Sequence, residues 1–118
     1  MSERLPSDLI KDMLKCIEHI QLYTGNLLFE EFSGNFMVVE ACLYNIQVIG
    51  EAVSRLPVAV KLKETNIPWL LIKGMRNRLI HEYFDTDIQV VWQVIKNELP
   101  SFKDELEKIH TSLVNQKQ

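Results

Sequence analysis

Apolar residues recur at spacings of three and four along almost the whole chain, and no stretch alternates with the period of two that marks a half-buried strand. Leu9, Ile10, Met13, Leu14, Ile17 and Ile20 set the first stripe behind Pro6-Ser7-Asp8. A helix is expected there, with Ser7 as its N-cap and its end near Tyr23-Thr24-Gly25. Asn26 to Asn35 carries Leu27, Leu28, Phe29 and Phe32 and closes on Ser33-Gly34-Asn35, which predicts a short helix or an apolar loop ending in a turn. From Phe36 to about Leu56 a second long stripe runs through Phe36, Val39, Leu43, Ile46, Ile49, Ala52, Val53 and Leu56. Gly50 lies inside it at a cost of about 1 kcal/mol relative to alanine, which points to a close approach by another helix. Pro57 ends the segment, and Val58 to Lys63 has the pattern of a short amphipathic turn.

Pro68 suits a first helical turn, where its missing N–H is not needed. A further helix is therefore expected from Pro68 to about Phe84, with Trp69, Ile72, Met75, Leu79 and Ile80 inward. Asp85-Thr86-Asp87 breaks and recaps the chain before Ile88, Val91, Trp92 and Ile95. Pro100 falls in the middle of this last pattern and should kink or interrupt the helix near Leu99, before Phe102, Leu106, Ile109 and Leu113 continue it. The fold predicted is all-α, an up-and-down bundle of about four to five helices with the last kinked at a proline. It forms one domain over residues 1–118, with a core from about 8 to 113.

Composition narrows the setting. Apolar residues are 47% and charged residues 25% of the 118, ordinary for a globular protein and too apolar for disorder. No apolar run is expected to reach the roughly 20 residues that cross a bilayer, and the N-terminus lacks the apolar centre of a signal peptide, so a cytoplasmic protein without membrane contact is expected. Cys16 and Cys42 sit among apolar neighbours with no CxxC or Cys/His cluster, the pattern of buried thiols and not of a metal site. A net charge of −3 and a pI near 5.6 exclude a general nucleic-acid coat protein. They leave room for a local basic patch from Lys61, Lys63, Lys73, Arg76 and Arg78.

The chemistry concentrates in Arg76-Asn77-Arg78-Leu79-Ile80-His81-Glu82-Tyr83. Arginine can hold a phosphate through its bidentate fork, and a histidine with an ordinary pKa of about 6.5 can move a proton near neutral pH. On an unbroken helix Arg76 and Tyr83 share a face, whereas Arg76 and His81 differ by about 140° and roughly 7.5 Å of rise. One straight helix does not close a phosphate between Arg76 and His81. Either the helix deforms near its end, the arginine bends back, or a second copy completes the site. Taken singly, each residue also has a plainer reading. Arg76 would pair with Glu82 or Asp87 at the surface, His81 would satisfy helix C-terminal carbonyls, and Tyr83 would pack its ring at a helix end with its hydroxyl wet.

Arg76, His81 and Tyr83 match the signature of an Arg, four residues, a His, one residue and a Tyr. Around them stand Tyr23-Thr24-Gly25, Ile49-Gly50-Glu51-Ala52, Ile67-Pro68-Trp69, Lys73-Gly74-Met75-Arg76-Asn77, Val91-Trp92 and Glu98-Leu99-Pro100, in order over roughly residues 8 to 108. In these the chain resembles the HepT-like toxins of the HEPN domain superfamily. The resemblance implies a HEPN-like bundle, a two-fold homodimer with motif residues lining a cleft between subunits, and a metal-independent endoribonuclease acting as the toxin of a toxin–antitoxin system. It needs no cofactor. Arg76 and His81 would be catalytic: His81 takes the proton of a ribose 2′-hydroxyl or gives one to the leaving 5′-oxygen, while Arg76 stabilises the charge of the transition state. One histidine cannot be acid and base in a single step, and a second His81 from a partner subunit is one candidate for the other role. Asn77 and Arg78 would support the motif or bind RNA, a tRNA or an mRNA. The implied antitoxin is a minimal nucleotidyltransferase that adenylylates Tyr83, placing phosphate where RNA phosphate would bind. Glu51 would pair with Arg76 or face the cleft, or remain ordinary helix-surface charge.

The other ring side chains are expected to be structural. His19 lies beside the first apolar stripe, His110 in the polar C-terminal region, and Trp69 and Trp92 at core spacing. The rival to the nuclease is a non-catalytic HEPN subunit that binds nucleotide or serves as substrate or scaffold for the nucleotidyltransferase. A third reading is an interaction module of a larger complex.

Overall fold

A computed structural model describes residues 4–63, 67, 69, 72, 74 and 88–115. The described residues form helices with no strand among them, as the periodicity predicts. In chain order the elements are α1 (Pro6–Thr24), α2 (Phe29–Ser33), α3 (Phe36–Arg55), α4 (Val58–Lys63), α5 (Ile88–Gln93) and α6 (Leu99–Asn115), with a π-helical segment at Val94–Glu98 joining the last two.

α1 starts two residues earlier than the Ser7 cap requires. Leu5 is the extended N-cap, with φ −68° and ψ 149° and no side-chain cap bond, and Pro6 opens the helix. The pyrrolidine ring already holds the helical φ, so the first turn needs no hydroxyl cap. Leu5 O instead accepts from the backbone of Asp8 at 2.9 Å and Leu9 at 3.0 Å, and Ser7 is buried inside the helix. At the other end Thr24 is fully buried, its Oγ1 donating to Ile20 O at 2.8 Å. The Lys96 ammonium, 72 positions away, donates to Thr24 O at 3.1 Å and lies 4.7 Å from the Trp92 ring centroid. A cation on the last carbonyls suits the negative end of the helix dipole. Lys61 repeats the device at the end of α3 by donating to Val53 O at 3.3 Å.

Between α1 and α3 the chain is a succession of tight turns. Leu27 N–H donates to Thr24 O at 3.1 Å, Phe32 N–H to Leu28 O at 3.0 Å and Asn35 N–H to Phe32 O at 3.1 Å. The alternative of helix or loop for this stretch resolves as helix α2, begun by Glu31 accepting from Leu28 N–H at 2.9 Å. α2 buries Phe32, whose ring meets Trp92 at 4.9 Å. Asn35 caps α3 by accepting from Val38 N–H at 3.2 Å. α1 packs on α3 and α6, and Ile10, Met13, Ile17, Ile20, Ile46, Ile49, Val53, Val91, Leu99 and Leu106 are sealed from water.

α3 corrects one expectation. It is 20 residues long and apolar enough, by length and composition alone, to cross a membrane, so one apolar run does reach that length. Half of its most apolar stretch is buried inside the bundle, as in the core helix of a folded domain. Gly50 lies on its buried face.

The interruption expected at Pro100 takes the form of a wide turn. Leu99 N–H reaches back five residues to Val94 O, and α6 continues through Pro100 to Asn115. Val91, Ile95 and Leu99 are all buried at spacings of four. With Phe102, Leu106 and Ile109 they keep spacings of four and three, so one inward face carries on across the π segment. The wide turn also relieves the clash a proline ring makes with the carbonyl four residues before it. Pro100→Ala is accordingly expected to change stability by less than about 1 kcal/mol, whereas relief of an unaccommodated helix proline would gain roughly 3 kcal/mol. Urea unfolding of the two proteins distinguishes these outcomes.

Candidate active site

Arg76, Asn77, Arg78, His81 and Tyr83 lie outside the described residues, as do Met75, Leu79 and Ile80 of the predicted inward face. The structure does show the elements on either side of the motif. Ile67, Trp69 and Ile72 are buried, Trp69 and Ile72 on helical backbone. Their spacing of three puts both on one inward face. The Trp69 ring meets Phe102 of α6 edge-on, with centroids 6.1 Å apart. After the motif the chain resumes in α5, where Trp92 packs against Phe32 and, at 6.1 Å, against Phe29. Both tryptophans are thus packing residues, as their spacing predicts. They fix the chain seven residues before Arg76 and nine after Tyr83 by numbering.

Gly74, two residues before Arg76, is exposed on helical backbone, and a Cβ built there would meet nothing within 4 Å. Gly25 differs. Its backbone is right-handed, yet a Cβ would lie 2.9 Å from Gln21 O, so the close approach of a backbone oxygen requires the glycine.

Of the other candidates, Glu51 lies exposed on α3, its carboxylate accepting from Gln47 Nε2 at 3.4 Å. Its suggested pairing with Arg76 falls outside the described residues. His19 is half-buried and stacks on Tyr23 at 6.1 Å with an interplanar angle of 27°. His110 is half-buried near the end of α6. Cys16 and Cys42 are free and buried, as expected. Burial pushes both thiols up, with Asp12 adding to the effect at Cys16. Cys42 reaches about 12 even though the Lys96 ammonium pulls the other way. Both therefore stay protonated near neutral pH and are poor nucleophiles.

Lys96 is the residue that sequence reasoning missed. Its spacing within the helix gives no sign of a partner 72 positions away, and only the tertiary fold places it on the α1 terminus. Charge is also segregated along the chain in a way that the net value of −3 conceals. Residues 16–54 contain five glutamates and no lysine or arginine. Residues 55–78 contain Arg55, Lys61, Lys63, Lys73, Arg76 and Arg78 against Glu64 alone. The segment leading into the motif is thus the cationic one, and a polyanion would be drawn there and repelled from the preceding stretch.

The family described as Ribonuclease HepT-like matches residues 13–109, which include the whole motif. The chain is 40% identical over 98 residues to "Putative RNase MJ1216" of Methanocaldococcus jannaschii, covering 83% of this chain and 81% of that protein. It is 34% identical over 107 residues to "Probable ribonuclease HepT" of Thermococcus cleftensis, covering 91% and 97%. "Putative RNase TTE0752" of Caldanaerobacter subterraneus is 30% identical over 106 residues, covering 90% and 95%. No solved structure gives a significant match.

The two glycines beside these helices should respond oppositely to alanine. Gly74→Ala adds helix propensity into open space and is expected to raise stability by up to about 1 kcal/mol. Gly25→Ala forces a backbone shift and is expected to cost about 1–3 kcal/mol. Thermal unfolding of both variants checks the sign of each.

Proposed function

This chain belongs to the Ribonuclease HepT-like family, and we propose that it is the toxin of a toxin–antitoxin system, a metal-independent endoribonuclease that works in the cytoplasm as a homodimer. The observation that carries this reading is the family match over residues 13–109, within which Arg76, His81 and Tyr83 are all present at the signature spacing. The names of the relatives support ribonuclease activity at the level of the family.

In the proposed reaction a ribose 2′-oxygen attacks the adjacent phosphorus and the bond to the 5′-oxygen breaks. The products are a 2′,3′-cyclic phosphate and a 5′-hydroxyl. His81 moves the proton at one of the two oxygens, and Arg76 stabilises the extra negative charge on the phosphoryl oxygens as it develops. A second proton-transfer group is required, and His81 of the second copy supplies it. Asn77 and Arg78 support the motif or bind the RNA. The separation of about 140° between Arg76 and His81 on a straight helix is the geometric reason to invoke two copies. Control comes from a minimal nucleotidyltransferase that adenylylates the Tyr83 hydroxyl, bringing negative charge to the site and repelling the RNA backbone.

The test is cleavage of total cellular RNA, tRNA and mRNA together, by protein shown by mass to carry no adduct on Tyr83. Wild type should cut with EDTA present, and Arg76→Ala and His81→Ala should each lose on the order of 100-fold or more, the usual scale for removing a general acid–base or a charge-stabilising group. Cutting that survives in His81→Ala would remove that residue from catalysis. No cutting by the unmodified wild type would favour the non-catalytic HEPN subunit, a substrate or scaffold for the nucleotidyltransferase.

A further inference from the structure

The corner between α3 and α4 gathers cations that the bundle does not use. Leu56 leaves α3 in an extended conformation, with φ −65° and ψ 137°. Pro57 O then accepts from Val60 N–H at 3.1 Å and Lys61 N–H at 3.3 Å as α4 begins. α4 thereby turns back on α3, close enough for the Lys61 ammonium to donate to Val53 O, two residues before Arg55. Leu56 N–H donates to the same oxygen at 3.2 Å, so this carbonyl at the end of α3 is satisfied without a further cation. Arg55 and Lys63 are both exposed, and neither side chain has an ion pair or hydrogen bond among the described residues. Glu51, one turn before Arg55, is engaged by Gln47, and no acid occurs from position 52 to 63. α4 fully buries none of its six side chains, so packing alone does not account for it.

We propose that this corner is an RNA-binding site additional to the Arg76–Tyr83 motif, where Arg55 and Lys63 contact backbone phosphates of the bound strand. Lys61 has a different task. It fixes α4 against the end of α3 and so sets where the two exposed cations stand. Cations with no internal acid to satisfy are the ones that gain most from a phosphate backbone, because binding releases the counterions of the strand. Arginine offers its planar fork to one phosphate and lysine a point charge to another. Contacts of this kind carry no base information, so the corner supplies affinity and orientation while the motif supplies chemistry. An anionic membrane surface is the other polyanion that such a corner could meet. Val58 and Leu62 are exposed one turn apart, but α4 is only about 9 Å long, and two aliphatic side chains bury too little apolar surface to hold a bilayer. The inference deepens the proposed function and rests on it for the identity of the strand as RNA.

The test measures binding of the full chain, across a range of salt, to a single-stranded oligoribonucleotide whose 2′-oxygens are methylated so that the proposed attack is blocked. Affinity for a single strand falls with salt on a logarithmic slope of about 0.7 per phosphate neutralised. Arg55→Gln combined with Lys63→Gln is expected to reduce that slope by about 1.4 and to weaken binding on the order of tenfold at about 0.1 M salt, with helix content unchanged. Lys11→Gln combined with Lys15→Gln removes the same charge from exposed positions of α1 and is expected to leave the slope as it is. An unchanged slope in the first pair, or an equal loss in both pairs, overturns the proposal. So does binding to phosphatidylglycerol vesicles that depends on Arg55 and Lys63 while RNA binding does not. Cleavage of unmethylated RNA by the wild type separates the failures. RNA held through Arg55 and Lys63 but never cut upholds the corner and removes the nuclease. Cutting with a slope indifferent to the first pair removes the corner and leaves the ribonuclease reading standing, and RNA neither bound nor cut overturns both.

Discussion

A proline inside a helix removes one backbone donor and crowds the carbonyl four residues before it, and residues 88–115 accommodate Pro100 with five residues of π-helix. Phe102 receives Trp69, Trp92 receives Phe32, and Lys96 holds the end of α1. These contacts come from three different positions along the helix and must all point into the same bundle. The apolar spacing of three and four and the wide turn before Pro100 therefore serve the same face, the kind of consistency between local and global preference that gives a single native state.

The lysines act on a second constraint. A helix leaves its last four carbonyls without intrahelical donors, and the turn at Gly25 does not supply the left-handed cap that commonly satisfies them. Lys96 reaches Thr24 O from the π segment itself, held over the Trp92 ring. The wide turn, the aromatic contact between α2 and α5, and the terminus of α1 are thus coupled through one side chain. Its half-buried position raises its electrostatic weight above that of an exposed pair such as Arg4 and Asp12, whose side chains are 50% and 41% exposed.

How far the sequence could be read depended on whether the deciding interaction was local. Helix positions and the inward faces of α1 and α3 follow from periodicity, and the exchange of Ser7 for Pro6 at the start of α1 is a matter of which local device acts first. The interruption at Pro100 was legible but its π form was not, because the apolar spacing on either side is that of an ordinary α-helix. Lys96 had no local signature at all. The apolar length of α3 is legible only as a mean over the whole helix, since Glu40, Asn45 and Gln47 punctuate it. Asn45 is in fact satisfied within the helix, donating to Ala41 O at 2.8 Å. For the motif, sequence carried the whole of what is known: the residues and their spacing are plain, and their arrangement lies outside the described residues.

The segregation of charge gives the proposed control of the site a physical basis. An excess of five cations in residues 55–78 attracts a phosphate backbone whatever its sequence, so a nuclease built there needs a means of refusing RNA as well as a means of cutting it. Adenylylation of Tyr83 would supply that refusal locally, by placing phosphate charge among the cations that are proposed to bind substrate. No helix has to move for this to work. In the proposed scheme the packing of Trp69 on Phe102 and of Trp92 on Phe32 need not change, since the switch would be confined to charge at a single hydroxyl.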